Sequence, residues 1–87
     1  MKKKKTKAKA KIDPQDQAIF EALGHAIQAR RKKLDLSQED LAHLAGLHVA
    51  YVGGVERGER NLALKNIAKL CKAMKISAAE LFKAANL

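Results

Sequence analysis

Between Ser37 and Gly58 the chain reads as two short segments with apolar faces, joined by a corner that admits only small residues. Ser37-Gln38-Glu39-Asp40 has the form of a capping box, a serine followed three residues later by an acid, and so marks a helix start. Leu41 and Ala42 then point inward, Ala45 follows at helical spacing, and Gly46 stands where a sharp turn needs a left-handed backbone. The next segment, His48 to Arg57, places Val52 and Val55 on one face and is closed by Gly58. Ala42 must be small where the second segment crosses it, and Leu47, Val52 and Val55 hold the crossing angle. Demands of this kind, met together, leave few folds open: a helix, a tight turn and a helix, whose apolar side further helices must cover.

The remaining sequence supplies those helices. Asp13-Pro14 is a helix start with proline at an early position. Ile19, Leu23 and Ile27 recur at four-residue spacing, with Phe20 and Ala26 beside them, and predict a helix over residues 15–33. Leu64, Ile67, Leu70, Cys71 and Met74 predict a fourth helix, and a second capping box, Ser77-Ala78-Ala79-Glu80, opens a fifth before Leu81 and Phe82. No alternating strand pattern survives. Hydrophobic residues make up 47% of the chain and aromatics 3%, so the core is aliphatic and alanine-rich, which suits helices. A chain of 87 residues holds one small core and excludes a multi-domain enzyme. The fold class is therefore all-α, with five helices.

The formal net charge of +9 points to a polyanionic partner, nucleic acid or an acidic membrane, but its distribution divides the chain. Residues 1–12 carry seven lysines and no acid, leaving a net +2 for residues 13–87. The first segment lacks the apolar residues needed to pack and reads as a disordered lysine-rich tail, the second as the folded domain. The lysines are followed by Ile12-Asp13-Pro14 where a signal peptide needs an apolar run, and no stretch is long enough to span a bilayer. With Cys71 as the single cysteine, the chain reads as a cytoplasmic protein without disulfide or membrane span.

At this point the residues resemble the helix-turn-helix of phage Cro and repressor proteins, in the XRE class of bacterial regulators. The resemblance covers roughly residues 19–82 and implies a lambda-repressor-like DNA-binding domain. Arg31 and Glu56 match a pair that forms a partly buried salt bridge in such proteins. His48, Tyr51, Glu56, Arg57, Arg60 and Asn61 match a pattern of the controller proteins of restriction-modification systems. The resemblance implies a homodimer on a palindromic operator in double-stranded DNA, with the third helix in the major groove. Gln38 falls at a position that bonds phosphate; Tyr51, Arg57, Arg60 and Asn61 at positions touching phosphate or flanking bases; and His48, Val49, Ala50, Gly53 and Gly54 on the face toward base edges. Relatives also pair through the end of the domain, which assigns Leu81, Phe82, Ala85 and Leu87 to the dimer interface.

The chain departs from the pattern at Val49-Ala50, where the subgroup often has Arg-Thr. Neither residue can donate a hydrogen bond to a base, so readout shifts toward phosphate contacts, thymine methyls and DNA shape. Glycines at 53 and 54 leave room for close backbone approach, at a cost of about 1 kcal/mol each inside a helix. Two other functions remain open. One is an antitoxin-like module in which the Val49-Ala50 surface meets a partner protein; the other is a non-specific DNA-binding protein that relies on the tail. Catalysis, cofactors and metal are not expected. His25, His43 and His48 fall on three different helices, Gly53 to Gly58 lacks the lysine and strand of a phosphate loop, and the carboxylates are scattered. Arg30-Arg31-Lys32-Lys33 reads as a helix C-terminal cluster favoured by the helix dipole, and Cys71 as a core thiol.

Overall fold

A computed structural model describes residues 13–87; the lysine-rich tail expected over residues 1–12 lies outside the described residues. Five helices follow in order: α1 Pro14–Lys33, α2 Gln38–Ala45, α3 Val49–Glu56, α4 Leu64–Ala73 and α5 Ala78–Ala84. No strand occurs among the described residues.

The helix starts are where the side-chain chemistry puts them. Asp13 accepts from the Gln15 backbone N–H, and Pro14 occupies the first helical position, where its missing N–H costs nothing. Both capping boxes form in full: Ser37 with Asp40 opens α2, and Ser77 with Glu80 opens α5. Each serine accepts the N3 amide while the N3 carboxylate accepts the serine N–H, and these bonds hold Asp40 and Glu80 below the usual carboxylate range. Gly46 ends α2 at φ 70°, the left-handed corner that the sequence required. The third helix is one residue shorter at each end than the His48 to Arg57 reading, because His48 and Arg57 serve as its caps.

Ile27, Leu41, Val52, Leu70, Met74 and Leu81 are fully buried and draw on all five helices. At Gly24 the backbones of α1 and α3 approach so closely that a Cβ would strike the carbonyl oxygens of Val55 and Glu56. Cys71 lies in this core, and burial pushes its thiol pKa up. Arg30, expected only to complement the helix dipole, donates to the Met74 and Lys75 carbonyls at 3.0 and 3.1 Å, tying α1 to the end of α4.

One expectation about α5 is corrected. Leu81 is 0% exposed and Ala85 9%, so both belong to the core of this chain and leave little surface for a dimer face. Leu81 lies on the inward side of α5 and Ala85 is its C-cap four residues on, and the apolar groups that cover them come from their own subunit. Phe82 and Leu87 remain exposed.

Candidate nucleic-acid interface

The scaffold of the site is a buried polar knot. Arg31 Nε donates to Glu56 Oε2 at 2.7 Å, and Arg31 Nη2 donates to Glu56 Oε1 at 3.0 Å, a bidentate pair between α1 and α3. A third Arg31 donor reaches the Leu36 carbonyl at 2.8 Å, so the same guanidinium fixes the α1–α2 turn. Gln38 Nε2 adds a bond to Glu56 Oε1 at 3.0 Å, which brings in α2. Burial pushes the Glu56 carboxyl pKa up, but hydrogen bonds from Arg31 and Gln38 outweigh it and hold the group below its usual range. The Arg31 pKa is raised by the hydrogen bond to Glu56. Three helices are thereby locked at one angle, with α3 backed against the knot.

This geometry extends the reading of Gln38. One of its two amide N–H groups donates to Glu56, where it is a further donor to the buried carboxylate oxygen, and the other N–H stays available to a phosphate.

The outer side of α3 is open at its N-terminal end, where His48, Val49 and Ala50 are all exposed. His48 makes no side-chain cap hydrogen bond. Gly53 and Gly54 are placed differently from the sequence reading: both are buried rather than bare. A Cβ on Gly53 would lie 3.2 Å from Arg57 Nη1, and one on Gly54 would lie 2.9 Å from Arg60 Cγ. The glycines thus form slots in which two arginine side chains lie across the helix, and this packing covers the backbone that DNA was expected to approach.

Those arginines have different second partners. Arg57 pairs with Glu59 at 3.1 Å on the surface, with side chains 60% and 58% exposed. Arg60 lies over the Tyr51 ring, 5.7 Å from its centroid, within cation–π range. Tyr51 is half-buried, and its hydroxyl accepts from Asn66 Nδ2 at 3.0 Å. Asn61 is exposed on the loop between α3 and α4, and Gln17 of α1 anchors that loop by donating to the Gly58 carbonyl at 2.9 Å. His48, Val49, Ala50 and Tyr51 thus lie at the start of α3, and Arg57, Arg60 and Asn61 at and beyond its C-terminal end, with Arg60 reaching back over Tyr51. Sequence reasoning missed Asn66 and Gln17, whose partners lie 15 and 41 residues away. The only local signal was a polar residue off the apolar stripe of its helix.

His25 on α1, His43 on α2 and His48 at the N-cap of α3 are exposed, and no group of His, Cys, Asp or Glu among the described residues is placed to hold a metal ion. No described helix is long and apolar enough to cross a membrane.

Comparison with known proteins bears on the same region. A family model described as helix-turn-helix matches residues 27–81. Control protein C.SmaI of Serratia marcescens is 43% identical over 63 residues, which cover 72% of this chain and 75% of that protein. Control protein C.BamHI of Bacillus amyloliquefaciens is 43% identical over 54 residues, covering 62% and 67% respectively. The crystal structure of the restriction-modification controller protein C.AhdI from Aeromonas hydrophila matches with a TM-score of 0.73 at 49% identity, over 75% of this chain and 98% of that one. These are regulators and not enzymes. With five helices in this order, and α2, Gly46 and α3 inside the matched span, the chain belongs to the helix-turn-helix family of DNA-binding transcriptional regulators, of the restriction-modification controller type.

Proposed function

We propose that this protein regulates transcription in the cytoplasm by binding, as a homodimer, an operator with two-fold symmetry, each subunit seating α3 in a major groove. The observation that carries this reading is the pairing of a solvent-open α3 N-terminus with a buried Arg31–Glu56 knot behind it, flanked by Tyr51, Arg57, Arg60 and Asn61. Such a helix is rigid on its inner side and free on its outer one.

Val49 and Ala50 offer thymine methyls a surface but no hydrogen bond. Discrimination then falls to His48, Tyr51, Arg57 and Arg60, and to sequence-dependent DNA shape. Gly53 and Gly54 contribute by housing the arginines. Gln38 can reach phosphate with its second amide N–H while the first stays on Glu56, which orients the side chain at the start of α2. The lysine tail adds phosphate contacts of no fixed sequence preference.

For the dimer, Phe82 and Leu87 stay assigned, and Leu64 joins them as the most exposed large apolar side chain among the described residues, at 78%. Symmetric pairing supplies the spacing of about 34 Å between half-sites that two recognition helices need. The exposed Val49 also favours a second reading, an antitoxin-like surface for a partner protein.

Selection of bound sequences from a random duplex library, at two salt concentrations and with or without residues 1–12, tests the proposal. A recovered palindrome is the expected result. Recovery of no consensus would sink the specific-regulator reading, and loss of all affinity with the tail would favour non-specific binding. Val49→Arg separates the antitoxin reading, since it alters sequence preference only if that face meets bases.

A further inference from the structure

We propose that Asn66 is a positioning residue for the DNA interface, fixing Tyr51 so that its hydroxyl meets DNA as a hydrogen-bond donor and reads only acceptors. The inference rests on the reading that Tyr51 faces DNA.

Two contacts hold the tyrosine, and a third holds one of its partners. Its hydroxyl oxygen accepts from Asn66 Nδ2 at 3.0 Å, across a separation of 15 residues that joins α3 to the first turn of α4. Its ring is covered by the Arg60 guanidinium, 5.7 Å from the centroid. Arg60 in turn lies in the slot at Gly54, where any Cβ would sit 2.9 Å from Arg60 Cγ and 3.0 Å from its Nε. The ring is thus held from one face and from its tip.

The direction of the Asn66 bond carries the chemistry. A phenol has one hydrogen to give and little accepting capacity beyond one good bond. Since the amide fills the accepting side, the hydroxyl hydrogen is left to turn outward. It suits a phosphate oxygen, guanine N7 or O6, adenine N7 or thymine O4, and it does not suit the amino groups of cytosine or adenine. A free tyrosine would accept from those amino groups as readily as donate. Asn66 therefore supplies a sign to a contact whose residue type leaves the sign open. Its neighbours at the recognition face, Val49 and Ala50, have no polar side-chain atom to offer, which raises the share of side-chain readout that a tyrosine of fixed polarity carries.

The test is a double-mutant cycle on the full chain, measuring the dissociation constant for the palindromic duplex recovered by selection. Tyr51→Phe is expected to weaken binding by about five- to tenfold, the loss of one hydrogen bond with its partner left unpaired. Asn66→Ala is expected to cost about threefold or more when Tyr51 is intact and less than about twofold in the Tyr51→Phe background, because its effect acts through the hydroxyl. Equal losses in the two backgrounds would overturn the proposal, since Asn66 would then touch DNA itself or support the fold. Should Asn66→Ala unfold the domain, Asn66→Asp keeps the shape and reverses the polarity. Its carboxylate takes the phenol hydrogen, and the same variant in the Tyr51→Phe background measures the added charge alone. A separate readout is available because the chain has one tyrosine and no tryptophan, so its emission reports Tyr51 directly. Asn66→Ala should change the emission of the free protein; unchanged emission would overturn the contact. Purines carrying carbon in place of N7, and methylphosphonate linkages, placed singly across one half-site, tell a base acceptor from a phosphate. Whichever removes the true partner also abolishes the effect of Tyr51→Phe. If Tyr51→Phe leaves a palindrome-binding protein unaffected, it is the placement of Tyr51 at DNA that fails, and the inference falls with it. A Tyr51 effect without Asn66 coupling sinks the inference alone.

Discussion

Two Arg–Glu pairs meet at the end of α3, and adjacent residues, Glu56 and Arg57, belong one to each. Arg31–Glu56 is bidentate, with side chains 9% and 1% exposed, and a third helix contributes Gln38 to it. Arg57–Glu59 has one contact of 3.1 Å between side chains more than half exposed. The same two residue types therefore do opposite things. The inner pair has left water and holds only partners within the fold, so it fixes three helices relative to one another. The outer pair stays in water, contributes little, and can give up its acid when a phosphate offers more. A recognition element needs both: an inner surface that does not yield and an outer one that exchanges partners.

The comparison breaks most visibly at Glu56. Glu56→Gln keeps the shape but leaves the Arg31 charge buried without its counter-charge, and should cost about 3–5 kcal/mol in urea denaturation. A loss below about 1 kcal/mol would put the inner pair in the same class as the outer one. Next comes the close approach that lets the inner pair form. Gly24→Ala would drive a methyl into the Val55 and Glu56 carbonyls, and should cost about 1–3 kcal/mol by the same measurement while shifting the amide resonances of both residues.

Acid titration sharpens the contrast without mutation. Glu56, Asp40 and Glu80 all have pKa values depressed in the folded state, so the stability they add is present above the unfolded carboxylate range, near about 4, and is lost as pH falls through their folded values. The melting temperature should be level between about pH 7 and 5 and drop below about pH 4, with Glu56→Gln removing part of the drop. The smallest stability effect belongs to the outer pair. Glu59→Gln should change unfolding free energy by less than about 1 kcal/mol, yet tighten binding to the selected duplex about two- to fivefold at low salt by freeing Arg57 and removing a negative charge. Looser binding would show that Glu59 orients Arg57 for DNA instead of competing with it.

What could be read in advance follows the range of the interactions. The capping boxes at Ser37 and Ser77, the proline start of α1 and the left-handed Gly46 are decided within a few residues, and all five helices form where local chemistry places them, with ends displaced by one residue at α1 and α3. The Arg31–Glu56 pair spans 25 residues and was visible only through family resemblance. Beyond that range, local pattern is silent. Leu81, Phe82, Ala85 and Leu87 are all apolar, and only the helices packed over α5 decide which of them are buried. Gly53 and Gly54 read as openings because a missing side chain says nothing about the arginine that fills the space. Asn66 escaped notice because polar residues early in a helix are common, and its meaning comes from a tyrosine on another helix.

Cys71, the chain's single thiol, is 5% exposed in the core of α4, with a pKa pushed up by burial. Such a thiol reacts with an alkylating reagent only from molecules that have opened, so its rate of modification, divided by that of the unfolded chain, counts the open fraction under native conditions. The protein therefore carries a clock for its own opening. Any ligand that binds only the folded state slows that clock in proportion to its occupancy. DNA affinity can accordingly be measured from inside the core, far from the surface that makes the contact.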